Sequence, residues 1–444
     1  MKTRRTDIIP KRTCRTLLLA LILAAALLSS RASFAQFNFT NIAESGQAAP
    51  GGGTFSFNFM TAGTPFINSS GVVTFWSGLA GVAGDEGIYK GSGGATTLIA
   101  NTLGGTFDGF GVYPSIDDDG AGTVAFQAFL TAGGAGIFKG SGGALTTVAT
   151  STSTPVGGSS MFSSFTDGPS INNGVVAFES VLANGTQGIY KGSTPAAITT
   201  VVDTGGAHTF GGNPFISFGS YPTMNSSGSV VFQAFTTSVD GLFKKDGVQT
   251  AIATDATTAT DQTSSFNFFG DAPFIMRMSA SGEVTAFTAE LDNGVTGVFK
   301  GSNSGNIVTI ADTTDSFGGQ ALTAFYSGPA VNSAGTVAFL ADFGTATGLF
   351  LGDGVSPLQL VVKTGDVLFG GTVVSIGFAS ALNDATSLAF FVEIDPPAAG
   401  SNRFVYVRAD MVPEPSSMAL LGLGGVAIVW YARRRGAKVP QSAS

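Results

Sequence analysis

The chain has 444 residues, with 63 glycines and 38 phenylalanines but only 11% charged residues and a formal net charge of −8. So many aromatics exclude a disordered chain and so many turn formers exclude a helical bundle, which leaves an all-β protein. The single cysteine, Cys14, excludes a disulfide framework.

The N-terminus carries a basic stretch from Lys2 to Arg15, an apolar run from Leu17 to Leu28 and small residues at Ser33 and Ala35. That order is a secretory signal peptide over residues 1–35, with cleavage expected between Ala35 and Gln36. The apolar run is about 12 residues, short of the roughly 20 that a spanning helix needs. Cys14 leaves with this leader.

From Phe75 onward one pattern recurs, clearest at Asn332-Ser333-Ala334-Gly335-Thr336-Val337-Ala338-Phe339. Its closing rings are Phe75, Phe126, Phe178, Phe232, Phe287, Phe339 and Phe390, about 52 residues apart. Asn-x-x-Gly predicts a tight turn, with Asn at its first position and Gly supplying the positive φ that closes it. Ala-Phe then alternates faces of a strand, the ring packing between neighbouring sheets. The copies at Asn173-Gly174 (shortened), Ser281-Gly282 (one extra residue) and Asn383 (no Gly) depart from it.

Three companion elements share the period. Gly-Gly with spaced phenylalanines, such as Gly104-Gly105 with Phe107 and Phe110, precedes the turn. Gly87-Ile88-Tyr89-Lys90-Gly91 follows it and recurs at Gly136, Gly188, Gly241, Gly297 and Gly348, and weakly at Phe404-Val405-Tyr406. A β-branched strand such as Thr199–Thr204 comes last, and only six copies follow a third strand. The seventh copy stands alone at the start, at Asn41-Ile42-Ala43-Glu44. An orphan first strand gains an open solenoid nothing, whereas it completes the last unit of a ring. The expected fold is therefore a seven-bladed β-propeller of four-stranded blades over residues 36–410, closed by its N-terminal strand, with a signal helix before it and a transmembrane helix after it. Closure removes edge strands on which a Phe-rich sheet would aggregate.

Residues that break the pattern are the places to seek chemistry. Asp117-Asp118-Asp119-Gly120 replaces the Asn turn in the second unit; it reads as a solvated acidic turn, with a Ca²⁺ site as the alternative use of three carboxylates. His208, the only histidine, leaves a Ser-His-Asp triad one possible base and excludes a multi-histidine metal site; a surface or packing role is expected. Glu179 and Glu290 could form a glycosidase carboxylate pair or be solvated rim residues. Lys90, Lys139, Lys191, Lys244 and Lys300 form a repeated ring that either blocks edge strands or grips an anionic polymer. Trp76 reads as packing.

At the C-terminus, over residues 411–444, Val412-Pro413-Glu414-Pro415-Ser416 precedes an apolar stretch from Met418 to Ala432 and then Arg433-Arg434-Arg435. A helix over about 417–432 with its basic tail at 433–444 in the cytoplasm places everything upstream outside, in agreement with the leader. Without the two tails, 21 basic residues become 10 and 29 acidic residues become 27, so the exported body carries about −17. Such a body repels nucleic acid.

This C-terminus resembles the PEP-CTERM sorting signal of Gram-negative bacteria that make extracellular polysaccharide, with Pro413, Glu414 and Pro415 as the motif. The resemblance implies signal peptidase and exosortase as processing partners, transient anchoring in the inner membrane, and delivery to the cell surface or outside it. The repeat resembles that of bacterial surface proteins with tandem Asn-x-x-Gly-x-x-Ala-Phe units, for which no function carries over. Neither a catalytic constellation nor a cofactor site is expected, apart from the Ca²⁺ alternative. The functional expectation is an extracellular scaffold or interaction protein that binds exopolysaccharide, with a propeller-type glycosidase or lyase as the alternative.

Overall fold

A computed structural model describes residues 36–58, 63–81, 84–219, 221–225, 227–245, 247–268, 284–326, 328–395 and 402–412. The expected signal helix and transmembrane helix, Ala35, the Ser281-Gly282 turn and Pro413, Glu414 and Pro415 lie outside the described residues. Among the described residues no helix is long and apolar enough to cross a membrane.

Seven antiparallel sheets follow one another, each a blade of a β-propeller. Blade one shows the plan: Thr54–Ser56 and Phe66–Ile67 both pair with Val73–Ala80, which pairs with Glu86–Gly91, which pairs with Thr97–Asn101. The first strand is thus broken in two. Its second piece begins at or just after a proline in blades one to four and six, at Pro65, Pro114, Pro169, Pro222 and Pro329. Proline offers no N–H to a ladder and restricts its predecessor, so a continuous first strand cannot form there. The predecessor takes a left-handed backbone at Gly168, Tyr221 and Gly328, as does Ser380 at the corresponding place in blade seven.

Blade seven is made of the short strand Val367–Leu368, Gly371–Gly377, Ser387–Asp395, Arg403–Val412 and the N-terminal strand Gln36–Glu44, which pairs with Arg403–Val412 as its outermost member. The ring is closed as the orphan strand predicts. The junction is reinforced by Arg403 Nη1 on Glu44 Oε1 at 2.6 Å and by Ser45 N–H donating to the Phe404 carbonyl at 2.9 Å.

Repeated rings fill the blades. Phe75, Phe126, Phe178, Phe232, Phe287, Phe339 and Phe390 are all buried, each worth about 1.5–3 kcal/mol relative to exposure. In six blades the ring lies across the ladder from an aromatic of the third strand, such as Tyr89 (centroids 5.7 Å apart) or Phe350 (5.7 Å). Blade seven is shifted. Arg408 pairs with Ala389 as Lys90 pairs with Thr74, so Val407 takes the ring position and Tyr406 takes that of Ile88. From there Tyr406 crosses into blade one, 4.6 Å from Phe57 and 4.8 Å from Phe75. Its hydroxyl donates towards the Trp76 carbonyl (2.9 Å) and the Gly63 carbonyl (3.1 Å), and burial pushes its pKa far up.

The irregular copies keep their turns by other means. Asn173 and Gly174 both have positive φ, 50° and 71°, which makes a two-residue hairpin between Asn172 and Val175. Thr386 adopts φ 60° where other copies have Gly.

Candidate functional site

In blades one to four and six the strands run so that the Asn turn, or its counterpart, and the third-to-fourth-strand turn share one end. At that end the Asn side chain has two jobs. Its Oδ1 accepts the N–H four residues on, as at Asn68 to Val72 (2.9 Å), Asn225 to Ser229 (2.9 Å), Asn332 to Thr336 (3.0 Å) and Asn383 to Ser387 (2.8 Å). Its Nδ2 donates to the backbone carbonyl at the same place in the next blade: Asn332 to Asn383 (3.5 Å), Asn383 to Asn68 (3.0 Å) and Asn68 to Asp117 (3.2 Å). An amide carries both an acceptor and a donor, which is why the repeat uses Asn.

The lysines make a second circle at this end. Each lies on a third strand, paired on both sides, so none guards an edge. Lys90 Nζ donates to the Ala121 and Gly122 carbonyls, Lys139 to Gly174, Lys191 to Gly228 (2.8 Å) and Lys300 to Gly335 (2.7 Å). Every acceptor is in the turn of the following blade. Arg408 does the same in blade seven, reaching Gly71 at 2.9 Å. Burial lowers the pKa of Lys90, Lys139 and Lys300. For Lys90, Lys139, Lys191 and Lys300 both expected readings of the ring, edge guard and polyanion grip, give way to inter-blade fasteners whose ammonium groups bond carbonyls of the next blade.

The axis lies where the second pieces of the first strands converge. A cavity of about 50 Å³ is lined there by six blades, including Ile67, Ser115, Ile171, Met224, Val331 and Asn383, with Asp118 and Asp384 at its mouth. That holds a few water molecules. Above it the broken first strands press against one another. A Cβ on Gly168 would stand 2.0 Å from the Tyr221 ring, and one on Gly328 would stand 2.6 Å from Ala379 Cβ. Tyr113 and Tyr221 meet edge to face at 5.2 Å. The Asp167 carboxylate takes the N–H groups of Val112 (2.6 Å), Gly168 (2.7 Å) and Tyr113 (3.4 Å). Burial raises its pKa against the pull of those three donors.

The three aspartates separate rather than converge. Asp117, which is buried, accepts the N–H groups of Asn173 (3.0 Å) and Gly174 (2.7 Å) in blade three. Exposed Asp118 accepts from Ser69 N–H at 2.6 Å. Asp119 is the residue that replaces the turn Asn, accepting from Thr123 N–H (2.9 Å) and Oγ1 (2.6 Å). A single solvated acidic turn is therefore the wrong description: a two-residue insertion splits the Asn duties between Asp117 and Asp119. Among the described residues no group of three or more His, Cys, Asp or Glu is arranged to hold a metal ion.

Glu179 is buried and is not a rim residue; it accepts from Thr166 Oγ1 (2.8 Å) and Gln187 Nε2 (2.5 Å). Glu290 is half-buried two blades away, and neither lines the axial cavity. His208 Nδ1 lies 3.2 Å from Asp203 Oδ1, a local contact at the edge of blade three. Trp76 Nε1 donates to Glu86 Oε2 at 3.1 Å.

Residues 28–419 match a family described as a family of unknown function, DUF7453. The chain belongs to this family. Residues 412–435 match the PEP-CTERM protein-sorting motif, which marks an exported protein processed by exosortase and delivered to the cell envelope or surface. No curated protein matches the sequence. Among solved structures the chain is similar to the β-propeller domain of the Trilobed protease from Pyrococcus furiosus, at 10% identity and TM-score 0.44, over 81% of this chain and 97% of that one. It is similar to Trypanosoma rangeli sialidase at 10% identity and TM-score 0.37, over 92% of this chain and 64% of that one. A third is AofleA from Arthrobotrys oligospora, at 9% identity and TM-score 0.34, over 73% and 96%.

Two features of this DUF7453 chain escape a reading of its sequence. The Pro that recurs before the second piece of the first strand was a visible signal, spaced like the phenylalanines. The other had none: Glu86 Oε1 accepts Phe110 N–H of blade two (2.5 Å), and Gln187 in the same position spans to Phe218 of blade four, accepting its N–H at 3.2 Å. Burial raises the Glu86 pKa, although both its hydrogen bonds oppose this.

Proposed function

We propose that the chain is a non-enzymatic scaffold or interaction protein of the cell surface or extracellular matrix, released or re-anchored by exosortase, and that its extracellular partner is polysaccharide. The observation that carries this reading is the use made of the polar repeat residues. Asn, Lys and Asp side chains that would be the obvious ligand groups are turned into the backbone of the next blade. What remains is a stiff closed ring whose varied outer residues are free to differ. The sorting motif supplies the surface destination.

The test uses the exported body, residues 36–410, purified and incubated with the host's own exopolysaccharide. Co-sedimentation without new reducing ends or unsaturated sugars is expected. Release of such ends would overturn the non-enzymatic reading in favour of a glycosidase or lyase, and absence of co-sedimentation would overturn the polysaccharide partner.

A further inference from the structure

Opposite the Asn turns, where second strands finish and third strands begin, the copies differ. Three residues beyond each core phenylalanine, one cross-strand pair joins Gly78 to Glu86, Phe129 to Ala135, Val181 to Gln187, Phe235 to Asp240, Glu290 to Thr296, Asp342 to Thr347 and Glu393 to Phe404. In six of the seven blades this pair supplies a carboxylate, a phenylalanine or both, and each of these side chains is exposed or half-buried. The Asn and Lys circles keep one chemistry and turn it inward, whereas this position varies and faces out.

Exposed Asp108, Asp292 and Asp395 add to the acid at this end. Its cations among the described residues are Lys363 and Arg403, and each is already held by a carboxylate there, Asp366 at 3.2 Å and Glu44 at 2.6 Å. The other described lysines and Arg408 stand at the Asn-turn end, so the body's negative charge gathers at one end. Burial, and then the Asp255 charge, raise the pKa of Asp240. Aromatic rings share the surface: Phe129 is 48% exposed and Tyr326 44%. A Cβ on Gly109 would lie 3.0 Å from Glu86 Oε1 and 3.5 Å from the Phe129 ring, so carboxylate and ring flank bare backbone where blades one and two meet. In blade six the Tyr326 hydroxyl donates to Asp342 Oδ2 at 2.9 Å. Carboxylates attract a cation, and so does the face of an aromatic ring.

We propose that the end carrying the second-to-third-strand turns is a docking surface for a cationic polysaccharide, a polymer of sugars with free amino groups. The inference rests on the polysaccharide reading above and narrows it to one charge class. Ammonium groups along such a chain meet carboxylates and ring faces in successive blades, and its C–H faces pack on Phe129 and Tyr326. An anionic polymer meets the charge that makes the body repel nucleic acid, and a neutral one makes no use of the carboxylates.

Soluble chitosan, a glucosamine polymer, is the probe, offered to the exported body at about pH 6, where its amines are protonated and the carboxylates ionised. Alginate with and without Ca²⁺, polylysine and the host's exopolysaccharide are the comparisons. Retention on chitosan that weakens with salt, and none on alginate, is expected. Asp240→Asn combined with Glu290→Gln should bind chitosan several-fold more weakly than the parent. Asp118→Asn combined with Asp384→Asn, the same charge change at the Asn-turn end, should bind as the parent does. Equal losses in the two variants would reduce the effect to net charge and overturn the docking surface. Retention on polylysine without chitosan would overturn it in favour of a basic protein segment. Retention on alginate or the host's exopolysaccharide without chitosan would overturn the cationic class and leave the polysaccharide reading standing, whereas retention on none of the polymers would overturn both.

Discussion

Asn332 illustrates how much of this protein is decided by single polar side chains. It is 1% exposed and serves both its own turn and the next blade. Asn332→Asp keeps the acceptor but buries a charge against a carbonyl, and should cost about 2 kcal/mol in urea unfolding, more than the same change at an exposed Asn such as Asn184. Tyr406→Phe removes the hydroxyl from two buried carbonyls and should cost about 1–2 kcal/mol by the same measurement. Glu86 gives a pH signature. Its folded pKa lies above the ordinary value of 4.5, so the folded state holds the proton more tightly and stability falls as pH rises from 4.5 upward. Glu86→Gln should remove that part of the decline, seen as a flatter melting-temperature profile above pH 4.5. At this scale the sequence showed which positions recur but not what they touch. The partners of Asn68 and Asp117 lie 49 and 56 residues away, and only the curvature of the ring brings them together. Lys90 therefore looked like an edge guard although its strand has two neighbours.

The closing strand belongs to the next scale. Its role was legible because it followed from counting: seven second strands, six fourth strands after a third, and one orphan at Ile42. Deleting Phe37 to Gly46 should expose the edge of Arg403–Val412 and produce aggregation or rapid proteolysis; a deletion variant as resistant as the parent would argue against closure. The register of blade seven was not legible, since Phe404-Val405-Tyr406 imitates the third-strand motif one residue out of step. Pattern matching follows the tyrosine, whereas the ladder follows Arg408 and its bond to Gly71. The broken first strands were missed for a similar reason. The Phe spacing conceals the proline that interrupts the first strand in five blades, and the left-handed backbone before it, at Tyr221 for instance, leaves no mark in a sequence. Gly168→Ala should destabilise strongly, because the new Cβ meets the Tyr221 ring and φ is +78° there.

Over the whole molecule the destination was more legible than the partner. Leader, sorting motif and basic tail are linear signals read by other proteins, and mass spectrometry of the secreted product should find Gln36 first and nothing beyond about Ser416. The axial region narrows to a cavity of about 50 Å³ where six blades send apolar first-strand residues to the axis. The repeated polar residues fasten blade to blade. The most direct test is the urea unfolding midpoint of the variant Lys90→Met, Lys139→Met, Lys191→Met and Lys300→Met, measured beside its retention on exopolysaccharide. A clearly lower midpoint is expected, with retention unchanged from the parent. An unchanged midpoint, above all with retention lost, would contradict it.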